Sequence, residues 1–267
     1  MPLILKRYFL TLVVLAAAVL HAPAQAQNKD YTPSVGQEGK DVIWVPTPNE
    51  LIQKMLDMAK LTPADVHFDL GSGDGRTVIA AAKRGTKAVG IEYNADMVEL
   101  SKRAAQKESA AVAARTEFIR GDIFETDFSK ATVLTLYLLP SLNLKLRPTI
   151  LNMQPGTRVV SHAFTMGEWE ADQTDNANGR TAYLWIVPAK VEGNWRIDGG
   201  GDVALKQTFQ TLEGTAGGKA ITTASLRGDA ITFSVDGREY SGKVSGDRME
   251  GSVTGSMSGK WSAARIK

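Results

Sequence analysis

The chain has 267 residues, enough for one large domain or two ordinary ones. Hydrophobic residues make up 43% and charged residues 22%, a globular composition, and the lack of cysteine excludes disulfides, thiolate metal sites and a cysteine nucleophile. The 31 Lys and Arg residues nearly balance the 29 Asp and Glu residues, so the charge gives no support to a nucleic-acid-binding role.

Residues 1–26 have the pattern of a cleavable signal peptide. Lys6 and Arg7 precede an apolar run at residues 8–20, and a small-x-small sequence predicts cleavage after Ala26. The run is shorter than the ~20 residues of a spanning helix, so we expect no stable membrane span after processing. The mature chain is then periplasmic or secreted. The alternatives are a membrane anchor formed by the uncleaved segment, and a cytosolic protein whose first residues only resemble a signal peptide.

The next segment predicts an arm and then a helix. Residues 27–39 are polar and interrupted by Gly and Pro, which is typical of an extended arm. Thr47 is the expected N-cap of the helix, in a Thr-x-x-Glu capping box that Glu50 completes, and Pro48 fits the first helical position. Apolar residues then recur at helical spacing as far as Ala59, which predicts one buried face.

Strand-like and helix-like runs alternate through residues 40–189. This alternation predicts a doubly wound, mostly parallel α/β sheet. The predicted strands are residues 66–70, 88–91, 117–120, 131–138, 158–162 and 183–187. The predicted helices between them are residues 77–84, 95–107 and 142–151.

Residues 190–267 differ in composition and predict a second, smaller domain after a boundary near Pro188. Helical periodicity disappears, and short alternating runs are separated by glycine-containing turns, which predicts an antiparallel all-β meander curled into a barrel or sandwich. Asp236 and Gly237 give a strong hairpin signal. The predicted strands are residues 195–197, 204–211, 220–226, 230–235, 239–244, 249–253 and 260–266. We expect the tryptophans at 169, 185, 195 and 261 to be core or interface anchors.

The chemically informative motif is a glycine-rich turn, Gly-Ser-Gly-Asp-Gly, at residues 71–75. It joins the first predicted strand of the sheet to a helix, which is the expected ligand crevice of an open α/β sheet. A dinucleotide-binding Gly-x-Gly-x-x-Gly pattern would need glycine where this chain has Arg76. Asp69 precedes the turn, and two more acids, Glu92 and Asp122, follow the next two predicted strands.

The pattern Asp-x-Gly-x-Gly-x-Gly, followed by acids at the ends of the next two strands, resembles the class I S-adenosylmethionine-dependent methyltransferases. The resemblance implies a seven-stranded Rossmann-like sheet and S-adenosyl-L-methionine as the cofactor. It also implies the cofactor-binding positions. The methionine end would lie against Asp69, Gly71, Ser72 and Gly73, the ribose hydroxyls would bind Glu92, and the adenine would contact Asp122 and Ile123.

A narrower resemblance covers about residues 40–190. The segments at 44–48 (WVPTP), 68–76 (FDLGSGDGR) and 90–94 (GIEYN) are similar to a protein-lysine methyltransferase branch. That branch includes the mitochondrial lysine methyltransferases that act on the ATP-synthase c-subunit. The resemblance implies a protein lysine as one candidate acceptor.

Tyr137 and Asn143 are the candidate catalytic residues on the acceptor side. They follow the fourth predicted strand, where many amino-group methyltransferases have an Asn-Pro-Pro-aromatic run that this chain lacks, so the acceptor stays open. A lysine acceptor must lose a proton, because at an ordinary pKa only about one in a thousand is neutral at pH 7.4. Only His67 and His162 would remain after processing, and we expect no metal site.

The two main signals conflict, because the signal peptide exports the chain whereas S-adenosylmethionine is made in the cytosol. One hypothesis is a methyltransferase that works outside the cytosol with a cofactor supply of unidentified origin. The alternative is an exported, non-catalytic binding module that keeps the methyltransferase fold, since a fold does not by itself fix a function.

Overall fold

The computed structural model describes residues 31–266, and the residues from Thr32 onward form one compact unit. The predicted signal peptide, residues 1–26, and residues 27–30 of the predicted arm lie outside the described part of the chain. Within residues 31–266, no helix has both the length and the apolar character needed to cross a membrane.

Helices and two β-sheets make up the described chain. The helices are α1 (Asn49–Met58), α2 (Arg76–Lys83), α3 (Ala95–Gln106), α4 (Ala110–Ala113) and α5 (Pro140–Ile150). The first sheet contains β1 (Val66–Leu70), β2 (Lys87–Glu92), β3 (Thr116–Arg120), β4 (Val133–Leu136), β5 (Arg158–His162), β6 (Gln173–Ala177) and β7 (Arg180–Ile186). The second sheet contains β8 (Gly193–Ile197), β9 (Asp202–Thr208), β10 (Thr211–Ala216), β11 (Lys219–Ala220), β12 (Thr223–Arg227), β13 (Ala230–Val235), β14 (Arg238–Ser245), β15 (Arg248–Gly255) and β16 (Gly259–Arg265).

The first sheet has the strand order β3-β2-β1-β4-β5-β7-β6. Strands β1 to β5 are parallel, and β7 runs antiparallel to both β5 and β6. All four residues of the central strand β4 are buried, as expected for a strand covered on both faces. The predicted doubly wound, mostly parallel sheet of seven strands is therefore confirmed, and the carboxyl ends of β1 to β4 meet at one edge.

Helices cover both faces of this sheet. On one face, α1 buries the apolar stripe that the sequence predicts, with Leu51 and Met55 packed against β5 and β7 residues and Ile52 against α2 residues. On the other face, Leu146 and Ile150 of α5 join the largest core cluster of the sheet. The sheet is thus packed on both sides, and the loops at its carboxyl edge start from buried strands.

The predicted capping box at the start of α1 is wrong. The N-cap residue is Pro48, without a side-chain cap, and α1 begins at Asn49. The Thr47 hydroxyl instead forms a 3.1 Å hydrogen bond with Nδ1 of His162, at the end of β5. A buried tertiary partner has therefore replaced the local cap, and it ties the start of α1 to the sheet edge.

The second sheet is antiparallel and curled, with the order β11-β10-β9-β8-β16-β15-β14-β13-β12. It forms a half-barrel in which β10 also contacts β12, and its interior is filled by buried side chains such as Trp195, Phe233 and Trp261. The Asp236-Gly237 hairpin is confirmed, with both residues at positive φ, 54° and 67°. The predicted single strand over residues 204–211 is wrong, because Phe209 at φ 55° turns the chain between β9 and β10.

The two sheets are in contact. The ring of Phe209 stacks on Trp169 with centroids 6.1 Å apart, and the side-chain amide of Gln210 donates a 2.8 Å hydrogen bond to the carbonyl of Glu170. The first sheet ends in sequence at Ile186, and the second begins at Gly193. The tryptophans at 169, 185 and 195 are fully buried and Trp261 nearly so, which confirms their expected place in the core.

Candidate active site

The glycine-rich turn leads directly from β1 into α2. Its three glycines have positive φ values that residues with a Cβ rarely adopt: 77° at Gly71, 55° at Gly73 and 78° at Gly75. The N–H groups of Gly71 and Ser72 donate to the Ile91 carbonyl on β2 at 2.9 and 3.0 Å, which holds the turn against the sheet. The Ser72 hydroxyl is buried and has no hydrogen-bond partner among the described residues.

Asp69 lies at the carboxyl end of β1, beneath this turn. Its side chain is 7% exposed and accepts a 2.6 Å hydrogen bond from the Thr135 hydroxyl on β4. Burial raises the pKa of Asp69 to about 7, and the nearby carboxylates of Asp74 and Glu92 act in the same direction. A cationic partner in the adjoining cavity would therefore be strongly favoured, because it would compensate a poorly solvated carboxylate.

Glu92, at the end of β2, ties together two turns. One carboxylate oxygen accepts a 2.9 Å hydrogen bond from the backbone N–H of Gly73, and the other accepts a 2.8 Å bond from the N–H of Asn94. Each oxygen keeps lone pairs for further donors. The side chain is therefore held in place with both oxygens fixed at the wall of the cavity.

Asp122 follows β3 and faces Lys40. One carboxylate oxygen accepts a 2.9 Å hydrogen bond from the N–H of Phe124, and the other forms an ion pair with Lys40. The Lys40 ammonium holds the pKa of Asp122 below its usual range. Lys40 also lies 5.0 Å from the centroid of the Tyr93 ring. Lys40, directly after the predicted arm, thus contacts the acid that the resemblance assigns to adenine.

Residues 36–44, which overlap the end of the predicted arm (residues 27–39), form a short hairpin. Gly36 N–H donates to the Trp44 carbonyl at 2.8 Å, and Trp44 N–H donates to the Gln37 carbonyl at 2.9 Å. A Cβ built on Gly73 would lie 2.6 Å from Nε1 of Trp44, so the indole is packed directly on the glycine-rich turn. The hairpin therefore forms one wall of the site.

A cavity of about 770 Å³ lies between the hairpin and the sheet edge. The structure brings all of the predicted cofactor-binding residues to its lining, which includes Asp69, Gly71, Ser72, Gly73, Glu92, Asp122 and Ile123. Tyr137 also lines it. Asn143 does not appear in the lining, so the two candidate catalytic residues occupy different positions.

Tyr137 belongs to an aromatic stack beside the cavity, where the sequence predicts the acceptor side. Its ring centroid lies 3.8 Å from that of His162 and 6.1 Å from that of Phe164. Burial lowers the pKa of His162 to about 4, with a contribution from the positive charge of Arg180, so the imidazole is neutral near pH 7. The stack is an uncharged wall next to the carboxylates.

Asn143 lies behind this wall, fully buried in the first turn of α5. Its side-chain nitrogen donates to the carbonyls of Phe164 and Thr165 at 3.4 and 3.2 Å. The loop that it holds contains a tight γ-turn, in which Phe164 N–H donates to the His162 carbonyl at 2.8 Å and Ala163 has a φ of 65°. The placement of Asn143 is thus that of a residue supporting the aromatic wall.

Sequence reasoning missed several residues of the site. Thr135 is the one hydroxyl residue in the buried strand β4, and a polar residue inside an apolar run is a signal that could have identified it. Lys40 and Phe164 gave no such signal, because their places depend on how the arm and the loop after β5 fold back over the sheet edge. Among residues 31–266, no group of three or more His, Cys, Asp or Glu side chains could hold a metal ion.

The donor and acceptor groups of the cavity fit S-adenosylmethionine. The ligand presents an ammonium, two ribose hydroxyls and an adenine amino group, and carries no phosphate. The cavity presents carboxylates at the ends of three adjacent strands: Asp69, Glu92 and Asp122. Hydrogen bonds from neutral or cationic donors to such acceptors contribute about 1.5–3 kcal/mol each.

Comparisons with known proteins agree with this chemistry. A family model described as the ANTKMT methyltransferase domain matches residues 69–173. A protein-lysine N-methyltransferase of Saccharolobus islandicus is 39% identical over 153 residues, which is 55% of this chain and 94% of that protein. The ATP synthase c-subunit lysine N-methyltransferase of Mus musculus is 28% identical over 148 residues, and the matched region spans only 59% of that protein.

A solved structure supports the same assignment. An RNA methyltransferase of Salinibacter ruber, in complex with S-adenosyl-L-homocysteine, is 48% identical, with a TM-score of 0.53 over 55% of this chain and 96% of that chain. The names of these relatives differ in the acceptor but agree in methyl transfer. This agreement favours an enzyme over a non-catalytic binding module. The chain therefore belongs to the class I S-adenosylmethionine-dependent methyltransferases, in their lysine methyltransferase branch.

Proposed function

We propose that the methyl acceptor is the side-chain amine of a protein lysine. The observation that carries this proposal is the charge of the cavity. Its lining contains six acidic residues and only two basic ones. Both basic residues are already paired, Lys40 with Asp122 and Arg76 with Asp74. Such a lining attracts a cationic amine and repels the phosphates of RNA.

The aromatic stack supports the same acceptor. Tyr137 and Phe164 present apolar ring surface for the methylene stem of a lysine, and aromatic faces attract ammonium groups. His162 is neutral near pH 7 and so adds no positive charge that would oppose the approach of the amine. The wall is thus suited to a side chain with an apolar stem and a cationic end.

The chain's own residues bind and align the reactants. S-adenosylmethionine, when bound, supplies a methyl group on a positively charged sulfur that needs no further activation. The carboxylates of Asp69 and Glu92 hold the cofactor side. The stack around Tyr137 directs the amine toward the cavity, where it accepts the methyl group in the neutral form that remains after its proton passes to solvent. The arm hairpin, with Trp44 on the glycine-rich turn, covers the site. Alignment of this kind accounts for a large part of the rate of a transfer between two bound groups.

The test is to incubate the purified chain with methyl-labelled S-adenosylmethionine and either a lysine-containing peptide library or fragmented RNA. We expect label in the acid-hydrolysed peptides, as methyl-lysine, and none in a matched library with arginine in place of lysine. The Phe164→Ala variant should transfer several-fold more slowly with unchanged affinity for S-adenosyl-L-homocysteine. Label in RNA nucleosides, and none in peptides, would contradict the proposal.

We also propose that residues 1–26 direct export of the chain. The support is the order of two basic residues, a 13-residue apolar run and a small-x-small sequence ending at Ala26. Fusion of residues 1–40 to a reporter that is active only after export should give activity, and replacing the apolar run at 8–20 by polar residues should abolish it. The N-terminal sequence of the exported product should begin at Gln27. An active, unprocessed cytosolic chain is the opposite result.

A further inference from the structure

Three buried polar side chains, hydrogen-bonded in series, lie behind the cofactor-binding edge of the first sheet. His67 and Asp69 lie on β1 and Thr135 lies on β4, with exposed fractions of 0%, 7% and 0%. Asp69 and Thr135 are paired in the register of the two strands, and His67 lies two residues before Asp69 on the same face of β1. Burial of polar side chains costs free energy unless they satisfy one another, so their presence needs an explanation.

The hydrogen bonds among these three side chains run in one direction. Thr135 Oγ1 donates to Asp69 Oδ1 at 2.6 Å, and a hydroxyl has one proton to donate. The 2.9 Å bond between Thr135 Oγ1 and His67 Nε2 is therefore donated by Nε2. Burial lowers the pKa of His67 to about 3, so the ring is neutral, and Nδ1 has no partner among the described residues. All donors thus point from the imidazole toward the carboxylate.

We propose that Thr135 and His67 are positioning residues that hold the Asp69 carboxylate for the ammonium group of S-adenosylmethionine. Neither residue belongs to the cavity lining, whereas Asp69 does, so both act through Asp69 and not by touching the cofactor. The bond to Oδ1 fixes the plane in which the carboxylate presents its second oxygen. This inference rests on the identity of the cofactor and is independent of the acceptor.

The same bond favours the ionised form of Asp69. Burial raises the pKa of Asp69 to about 7, and the charges of Asp74 and Glu92 raise it as well. The hydrogen bonds from Thr135 and Thr77 lower it. Loss of the Thr135 bond should raise this pKa, which leaves a larger fraction of Asp69 neutral at pH 7.5. A neutral carboxyl group attracts an ammonium group much less strongly.

The first test compares Thr135→Val, which keeps the shape and removes the donor, with Thr135→Ser, which keeps the hydroxyl. The Kd values of two ligands are measured by calorimetry from pH 6 to 9. S-adenosyl-L-homocysteine contains the ammonium group, and 5′-methylthioadenosine has the same nucleoside and sulfur without the amino acid. We expect Thr135→Val to weaken binding of the first ligand about tenfold, to change binding of the second less than twofold, and to move the pH midpoint upward. Thr135→Ser should resemble the wild type.

The second test compares His67→Gln, whose amide nitrogen can replace Nε2 as a donor, with His67→Leu, which has no donor. We expect His67→Leu to weaken binding of S-adenosyl-L-homocysteine selectively and His67→Gln to restore most of it. This pair decides the question if Thr135→Val does not fold, as judged by circular dichroism. Equal losses for both ligands, or an unchanged affinity and pH midpoint in folded Thr135→Val, would overturn the proposal.

Discussion

Asp69 shows at the scale of a single residue how ligand binding and folding oppose each other. The carboxyl group is almost fully buried, and its pKa is raised to about 7 chiefly because burial disfavours the charged form. The folded chain therefore binds a proton at Asp69 more tightly than the unfolded chain, whose pKa is about 3.9. Between these two values the unfolded chain binds fewer protons, so the free energy of unfolding falls as the pH rises from about 4 to about 7.

The variant Asp69→Asn has no carboxyl group at this position, so its free energy of unfolding should not fall in this way between about pH 4 and pH 7. Without ligand, we expect its melting temperature to exceed that of the wild type by several degrees at pH 8, because about 1 kcal/mol corresponds to 2–4 °C in a chain of this size. The difference should shrink as the pH falls toward 4. The same variant should bind S-adenosyl-L-homocysteine at least about tenfold more weakly, since it lacks the charge that attracts the ammonium group.

The melting temperatures are measured by thermal denaturation from pH 4 to pH 8, with circular dichroism as the signal. Asp41→Asn is the matched control, because Asp41 lines the same cavity with its side chain 43% exposed. Its melting temperature should follow that of the wild type at every pH. A difference between Asp69→Asn and wild type that is independent of pH would contradict the assigned cause.

At the scale of elements, the site depends on a turn and a hairpin that fit against each other. Gly73 has a φ of 55°, and its missing side chain leaves the space that Trp44 of the hairpin occupies. Gly73→Ala should both strain the turn and displace the indole. We expect a loss of at least about tenfold in affinity for S-adenosyl-L-homocysteine, because the N–H of Gly73 also anchors Glu92.

Gly246→Ala separates strain from displacement. Gly246 has a φ of 58°, close to that of Gly73, but a Cβ built there meets no atom within 4 Å. Calorimetric titration should give both variants a modest loss of stability, and only Gly73→Ala a loss of cofactor affinity. Equal affinities in the two variants would show that the contact with Trp44 has no part in binding.

The sequence predicts elements well where apolar periodicity is strong. Strands β1 and β5 have the predicted bounds, and the turn after β1 lies where the glycines place it. Strand β6 (QTDNA) was missed because an edge strand with one hydrogen-bonded neighbour needs no apolar run. The break at Phe209 was missed because a bulky residue at positive φ has no local signal and is held there by Trp169.

In the candidate site, the residues that belong to local sequence motifs were predictable, and the residues brought in by tertiary folding were not. The residues that the glycine-rich motif and the strand ends indicate all reach the cavity, since strand ends share one edge. The role expected for Thr47 was not met, because a capping pattern is local whereas its actual partner, His162, is distant in sequence. Other side chains, such as Lys40, reach the site from the hairpin. Their positions depend on tertiary folding, which no short motif encodes.

At the scale of the whole molecule, the second sheet supports the first. Phe209 stacks on Trp169 and lies under the guanidinium of Arg147, 5.3 Å from its ring. Phe209→Ala should therefore lower the melting temperature by several degrees, since loss of a half-buried aromatic contact costs about 1–3 kcal/mol. Affinity for S-adenosyl-L-homocysteine should change less than twofold.

The control for this prediction is Met257→Ala, in a turn of the second sheet where the residue is 48% exposed. Its melting temperature should equal that of the wild type. If Phe209→Ala also melts like the wild type, the two sheets do not stabilise each other through this contact. Scanning calorimetry, with both variants run beside the wild type, gives the answer.

The position of β16 has a consequence for how the chain is completed. It pairs with β8 on one side and β15 on the other, so the strand that is synthesised last among the described elements lies in the middle of its sheet. Until Gly259–Arg265 is in place, β8 and β15 each keep a row of unpaired N–H and carbonyl groups. A chain that is truncated before β16 therefore exposes two unpaired strand edges, on β8 and β15. Such edges can pair with other chains, so we expect the truncated chain to aggregate and to be cut by proteases more readily than the chain that includes β16.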